Sequence, residues 1–183
     1  MPTTRIIEVN EIPSSLQDFI ALRDALAQTP EGAAVVMVIA LHVYAQAPES
    51  DLGKNALTIA VDRSRLREMA NGYKGWGLLA IELQRAQRQL RGKSWTMQSY
   101  FLDTEPQQAY QLPVPPYKFE VSDNPYSGDP ASGVYKVFVR SSGAASPRPV
   151  TLKLNNRGVW KTLEWSSLVM GVIPPKKSVD DDL

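Results

Sequence analysis

The chain has 183 residues, with 20 Lys and Arg against 19 Asp and Glu, so its formal net charge of +1 gives no whole-molecule field toward nucleic acid or membrane. Hydrophobic residues make up 43% and charged residues 21%, the balance of a globular chain and not of a disordered one. Cysteine is absent and His42 is the single histidine, which excludes thiol catalysis, disulfides, thiolate metal sites and multi-histidine metal sites.

The opening MPTTRIIEVNEIP lacks the apolar core and cleavage site of a secretory signal. A first helix is expected from Ser14 or Ser15, either of which can cap it, with Leu16, Phe19, Ile20 and Leu26 as its inner stripe and Arg23 at the edge. Thr29-Pro30-Glu31 reads as cap, first-turn proline and first-turn acid. It introduces Gly32–Ala47, apolar almost all round and closed by Pro48. A buried strand competes there because of Val35, Val36, Val38 and Ile39, but the length and start signal favour a central buried helix. The longest apolar run, Ala33–Leu41, falls far short of the roughly 20 residues a bilayer requires, so no membrane span is expected and the cytoplasm is the default location.

Asn55–Val61 fits either a short strand or a helix start, and Arg63–Ala70 reads as a helix ended by Asn71-Gly72. Gly72, Gly75 and Gly77 then punctuate a tight segment around Tyr73 and Trp76. From Leu78 to Arg91 an amphipathic helix is expected, with Leu79, Leu83, Ala86 and Leu90 inward and Gln84, Arg85, Arg88 and Arg91 outward. After Lys93 the period changes from 3.6 to 2. Trp95–Leu102, Tyr117–Val121 and Val134–Arg140 are expected strands, followed by a hairpin of Val150–Leu154 and Val159–Trp165 turning at Asn156-Arg157-Gly158. Trp160 and Trp165, at odd separation, should lie on opposite faces of the last strand.

Proline supports this division. None occurs between Pro48 and Pro106, and most lie in the second half, where turns and sheet edges tolerate them. The expected architecture is α+β: an N-terminal helical layer over 1–93 packed on a C-terminal antiparallel sheet over 94–175, with a flexible tail over 176–183. The whole forms one continuous unit, and the sheet could curl into a small SH3-like or open barrel.

Side chains that could carry chemistry are sparse. His42 sits in the most apolar segment, and the nearest carboxylate in sequence, Glu49, lies beyond Pro48, so it reads as a core residue and not a general base. Gly72–Gly77 lacks the order of a dinucleotide fingerprint. Gly92-Lys93-Ser94 lacks the upstream glycine and following helix of a phosphate loop. Two basic features remain as candidate ligand sites. Between Asp62 and Lys93 eight basic residues face three acids, and Arg85, Arg88, Arg91 and Lys93 form the stretch suited to phosphates or an acidic partner. The second is the loop from Arg140-Ser141-Ser142-Gly143 to Ser146-Pro147-Arg148-Pro149, where two guanidinium groups flank several hydroxyls.

This loop and hairpin, with Val137–Ala144, Ser146–Leu152, Gly158-Val159-Trp160-Lys161, Glu164-Trp165-Ser166-Ser167-Leu168 and Gly171-Val172, resemble a family of bacterial proteins of unknown function. The likeness extends upstream to Thr29-Pro30-Glu31-Gly32, Leu52-Gly53, Gly72-Tyr73-Lys74-Gly75, Ser99-Tyr100-Phe101 and Asn124-Pro125-Tyr126-Ser127-Gly128, from about residue 14 to about 174. One departure is Ala145, where the resemblance leads one to expect an acid; its absence removes a carboxylate beside Arg148. The resemblance implies one architectural unit of bacterial type and no transferable activity. Three functional readings follow. The first is a non-enzymatic protein that binds another protein or serves an assembly, with no cofactor and no metal. The second is a module for an anionic ligand or nucleic acid at the arginine sites. The third is a hydrolase assembled from distant Ser, Asp and Glu.

Overall fold

The computed structural model describes residues 2–176. From residue 177 onward, the expected tail lies outside the described residues. The chain opens with β1 (Thr4–Val9). Ser15 then caps α1 (Leu16–Leu26), its hydroxyl accepting from the Asp18 amide at 3.1 Å. Thr29 does the same for α2 (Pro30–Gln46), accepting from the Gly32 amide at 3.1 Å ahead of Pro30 and Glu31. Every residue of α2 from Pro30 to Ala45 is buried, because the helix is enclosed by α1, the sheet and α3 (Asp51–Ala60). Of the two alternatives for 55–61, the helix prevails as far as Ala60, started by the Ser50 cap.

A 3₁₀ turn at Arg63–Arg65 leads into β2 (Leu66–Tyr73) and β3 (Trp76–Leu78), which pair as a hairpin apart from the main sheet. Next come α4 (Ala80–Leu90), the short α5 (Trp95–Gln98), β4 (Tyr117–Ser122), β5 (Val134–Val139), β6 (Arg148–Leu154) and β7 (Trp160–Glu164). The main sheet is antiparallel in the order β1-β4-β5-β6-β7. Its inner face, with Phe119, Val121, Val137, Val139, Val150, Leu152 and Trp160, buries α2. The protein is therefore α+β. Its sheet is open, with β1 and β7 at opposite edges, and not a closed barrel.

Several expectations need correction. Arg63–Ala70 is not a helix: after the 3₁₀ turn it pairs with Trp76–Leu78, and pairing overrides the helical propensity of Leu66-Arg67-Glu68-Met69-Ala70. Trp95–Leu102 is not a strand. It forms α5 and further turns, and its aromatic content reflects burial of Tyr100 and Phe101 in the core. Trp160 and Trp165 are both buried, because the strand ends at Glu164 and Trp165 (φ −141°, ψ 0°) already leads into a 3₁₀ turn, so alternation no longer applies. No helix among the described residues is long and apolar enough to cross a membrane.

Candidate functional site

β7 is a sheet edge, and the end of α3 is fastened to it. Val61 bridges to Thr162 in parallel, the Asp62 amide donates to Thr162 O at 2.7 Å, and Arg65 Nε donates to Leu163 O at 2.8 Å. These bonds occupy the open edge of β7 and bring the β2–β3 hairpin alongside. Between them lies a cleft of about 180 Å³. Thr58, Ile59 and Val61 line it from the end of α3, Leu66, Tyr73, Lys74 and Trp76 from the hairpin, Arg63 from the 3₁₀ turn, Arg23 from α1 and Lys161 from β7.

Four of these residues are cations and none is a carboxylate. Arg23 is tied to Asp24 at 2.7 Å. Arg63, Lys74 and Lys161 form no ion pair among the described residues. Asp62 is nearby but committed, accepting from the amide and hydroxyl of Ser64 at 3.0 and 2.6 Å. Burial works against its charge, but the Ser64 hydrogen bonds together hold its carboxyl below the usual range. Lys161 donates to Ile59 O in the last turn of α3, where a cation also opposes the negative end of the helix dipole. Burial, reinforced by Arg23, lowers its amine from 10.5 to about 8, while Asp62 and Asp24 pull the other way.

The aromatic residues of the cleft are held by the same cations. The Arg63 guanidinium sits 4.4 Å from the centroid of the Trp76 ring, and Lys74 Nζ lies 5.4 Å from that of Tyr73. Lys74 and Gly75 make a two-residue turn between the paired Tyr73 and Trp76, with φ of 50° and 81°. Asn-Gly is the low-strain choice for such a turn. Lysine there costs about 1 kcal/mol or more of backbone strain, yet it places an amine at the cleft.

The arginine sites expected from sequence are assembled differently. Arg85 does not simply face solvent. It is half-buried, with its guanidinium 3.6 Å from the buried Glu82 and 5.9 Å from the Trp165 ring centroid, because Glu82 draws both Arg85 and Arg65 inward. Arg88 and Arg91 border a shallow hollow with Gln84 and Gln87, and Arg91 is paired with Glu49 at 2.8 Å. Lys93 is exposed and lines none of these hollows. The loop pair is also separated. Arg140 is exposed and 3.6 Å from Glu120. Arg148 is paired in register with the inward-facing Val139 and donates to Gly171 O at 3.0 Å, so the two guanidinium groups project from opposite faces.

Ser141 is buried, its hydroxyl 2.7 Å from that of Ser99, and Ser142 bonds Ser99 O and the Thr104 hydroxyl. These hydroxyls satisfy the loop. The hollow beside Arg140 and Ser142 also contains Asp103 and Glu120, whose carboxylates oppose an anion. His42 is packed against Phe101, its Nδ1 has no hydrogen-bond partner, and burial lowers its pKa to about 4, so no hydroxyl nucleophile is activated through that nitrogen. Among the described residues no group of three or more His, Asp or Glu is placed to hold a metal ion.

The sequence reading therefore missed the cleft as a unit. Arg63 and Lys74 belonged to its basic stretch and Arg23 stood at the edge of the first helix, but Lys161 lies about a hundred residues away on β7. The available signal was Lys74 ahead of Gly75 in a segment punctuated by glycines. Neither the curated proteins nor the solved structures contain a significant match. A family model matches residues 11–176, nearly the whole described chain, and the protein belongs to that family, the domain of unknown function DUF6935.

Proposed function

We propose that the chain is a non-catalytic binding protein of the bacterial cytoplasm whose ligand is an anion taken into the cleft between α3, the β2–β3 hairpin and β7. One observation carries this reading: Arg63, Lys74 and Lys161, with no carboxylate within 4 Å among the described residues, converge on a single concave site with apolar walls. Lys161 is partly buried while Arg63 and Lys74 reach in from the exposed rim, and cations gathered around one hollow attract an anion more strongly than the same charges spread over a helix face. The arginines on and just after α4 and those of the β5–β6 loop contribute less, since Arg85, Arg91 and Arg140 already face carboxylates, Arg88 borders a hollow without apolar walls, and Arg148 projects from the opposite face to Arg140.

A protein partner is supported by a different feature, the exposure of Ile6 and Val134 on strands β1 and β5. Single apolar side chains at a surface are ordinary, whereas a concave site with convergent charge is not, so the anion reading is preferred. The test is a titration with inorganic phosphate at low salt, followed by amide chemical shifts. Shifts should centre on the hairpin and β7, and the paired change of Arg63→Gln with Lys74→Gln should weaken binding about tenfold or more. Shifts centred on Arg88 or Arg140, or no binding at all, overturn the proposal.

A further inference from the structure

We infer that the anion accepted by this cleft is carried on a flat ring, so that the ligand class is a small aromatic phosphate or carboxylate. The inference rests on the anion reading above and adds what the uncharged walls require. The space of about 180 Å³ is larger than a lone oxyanion fills, and it lies below the roughly 300–1,000 Å³ of sites for drug-sized ligands. Its exposed apolar surface comes from Leu66 and the rings of Tyr73 and Trp76, over a floor formed by the buried Ile59 and Val61. A bare anion placed against that surface loses hydration and gains no contact in return. A ring joined to the anion buries the same surface and gains stacking.

Trp76 is fitted to be a wall and not merely core filling. It is only half-buried, and the Arg63 guanidinium lies over it at 4.4 Å, which fixes the indole plane and places a planar donor fork beside it. Lys74 enters at the turn next to Trp76 through a backbone conformation that lysine rarely adopts, so the amine and the ring are presented together by one hairpin. With four cations and no carboxylate in the lining, and with the Trp76 and Tyr73 rings already facing cations of the chain, the cleft disfavours a cationic ligand.

Single-stranded nucleic acid combines the same two features, stacking bases and phosphates. Such a strand needs a basic track leading away from the stacking site. Arg85, Arg88, Arg91 and Lys93 all lie on or after α4, and none lines the cleft. That arrangement favours a discrete small molecule.

Three probes separate the possibilities: phenyl phosphate, inorganic phosphate and phenol, each titrated into the full chain and into Trp76→Leu and Trp76→Phe. Phenyl phosphate should bind the unchanged protein about tenfold or more tighter than inorganic phosphate, and phenol should bind weakest. Trp76→Leu should bring the two phosphates to within about twofold of each other, and Trp76→Phe should retain most of the difference. If Trp76→Leu does not fold, the probe comparison on the unchanged protein decides. Equal affinity for phenyl phosphate and inorganic phosphate overturns this inference and leaves the anion reading intact. Failure of both phosphates to bind overturns the two together. Affinity for oligothymidylate that rises steadily with length, and exceeds that for phenyl phosphate, assigns the site to single strands and also overturns the inference.

Discussion

Gly53 lies in α3 where that helix crosses α2, and a methyl group there tests how the cleft is held. A Cβ on Gly53 would stand 2.7 Å from Tyr44 Cα and 3.3 Å from Tyr44 Cβ. Carbon atoms in contact prefer about 3.5–4.0 Å, and Tyr44 Cα belongs to a backbone that cannot rotate away, so the helices must part by about 1 Å. In an unobstructed helix, alanine is better than glycine by about 1 kcal/mol. Overpacking in a core costs about 1–3 kcal/mol, and a clash with backbone belongs at the upper end. Gly53→Ala should therefore destabilise the protein by about 2 kcal/mol net, read as a lower urea midpoint at unchanged slope. The same displacement should weaken phosphate binding, although Gly53 does not line the cleft, because α3 carries Ile59 and its carbonyl holds Lys161. A variant as stable as the parent, or more stable by the alanine preference, would refute the close approach of the two helices.

His42 titrates at about 4 in the folded chain against 6.5 when unperturbed, so between those values the unfolded chain binds the extra proton. Stability should fall by on the order of 3 kcal/mol as pH drops through that window, and His42→Leu should flatten the dependence in pH-resolved urea melts. Arg85→Ala should cost about 1 kcal/mol by weakening compensation of the buried Glu82, whereas Arg88→Ala should stay within about 0.5 kcal/mol; equal thermal melts for the two would show Arg85 to be solvated. Phosphate affinity should decline as pH rises above about 8, where Lys161 loses its proton beside Arg23, Asp24, Asp62, Arg63 and Lys74. Lys161→Met should bind more weakly at pH 7 and lose that decline, as read by titration at several pH values.

The parts of the fold that could be read in the chain are those whose signals are local. Ser15 and Thr29 mark their helices because a hydroxyl cap satisfies amides only three residues away. The β6–β7 hairpin declares itself through alternation on both sides of Gly158, which adopts φ of 75° at the turn. Arg63–Ala70 misleads because its composition suits a helix, while its conformation is set by pairing with Trp76–Leu78 and by packing on α3. Trp95–Leu102 misleads in the opposite sense, since aromatic residues are common in strands mainly because strands are buried. Here Tyr100 and Phe101 reach the core from turns. β1 gives little signal, because only its inward side chains Ile7 and Val9 face the core and Val9 alone is fully buried.

The cleft is harder to read than any element, and the reason is geometric. Its cations come from α1, the 3₁₀ turn, the hairpin and β7, and they meet only because Val61 and Asp62 bond to the edge of β7. A count along the chain therefore rewards the arginines of α4, which are close in sequence, and overlooks Lys161. Charge density in sequence also ignores the neutralising partners that folding supplies. Arg85, Arg91 and Arg140 each acquire a carboxylate within 4 Å, while Arg63 and Lys74 acquire aromatic rings. A guanidinium facing a carboxylate has its field largely cancelled, whereas one stacked on an indole keeps its in-plane donors available. Which cations stay unpaired by carboxylates is thus decided by the partners that the tertiary fold gives them.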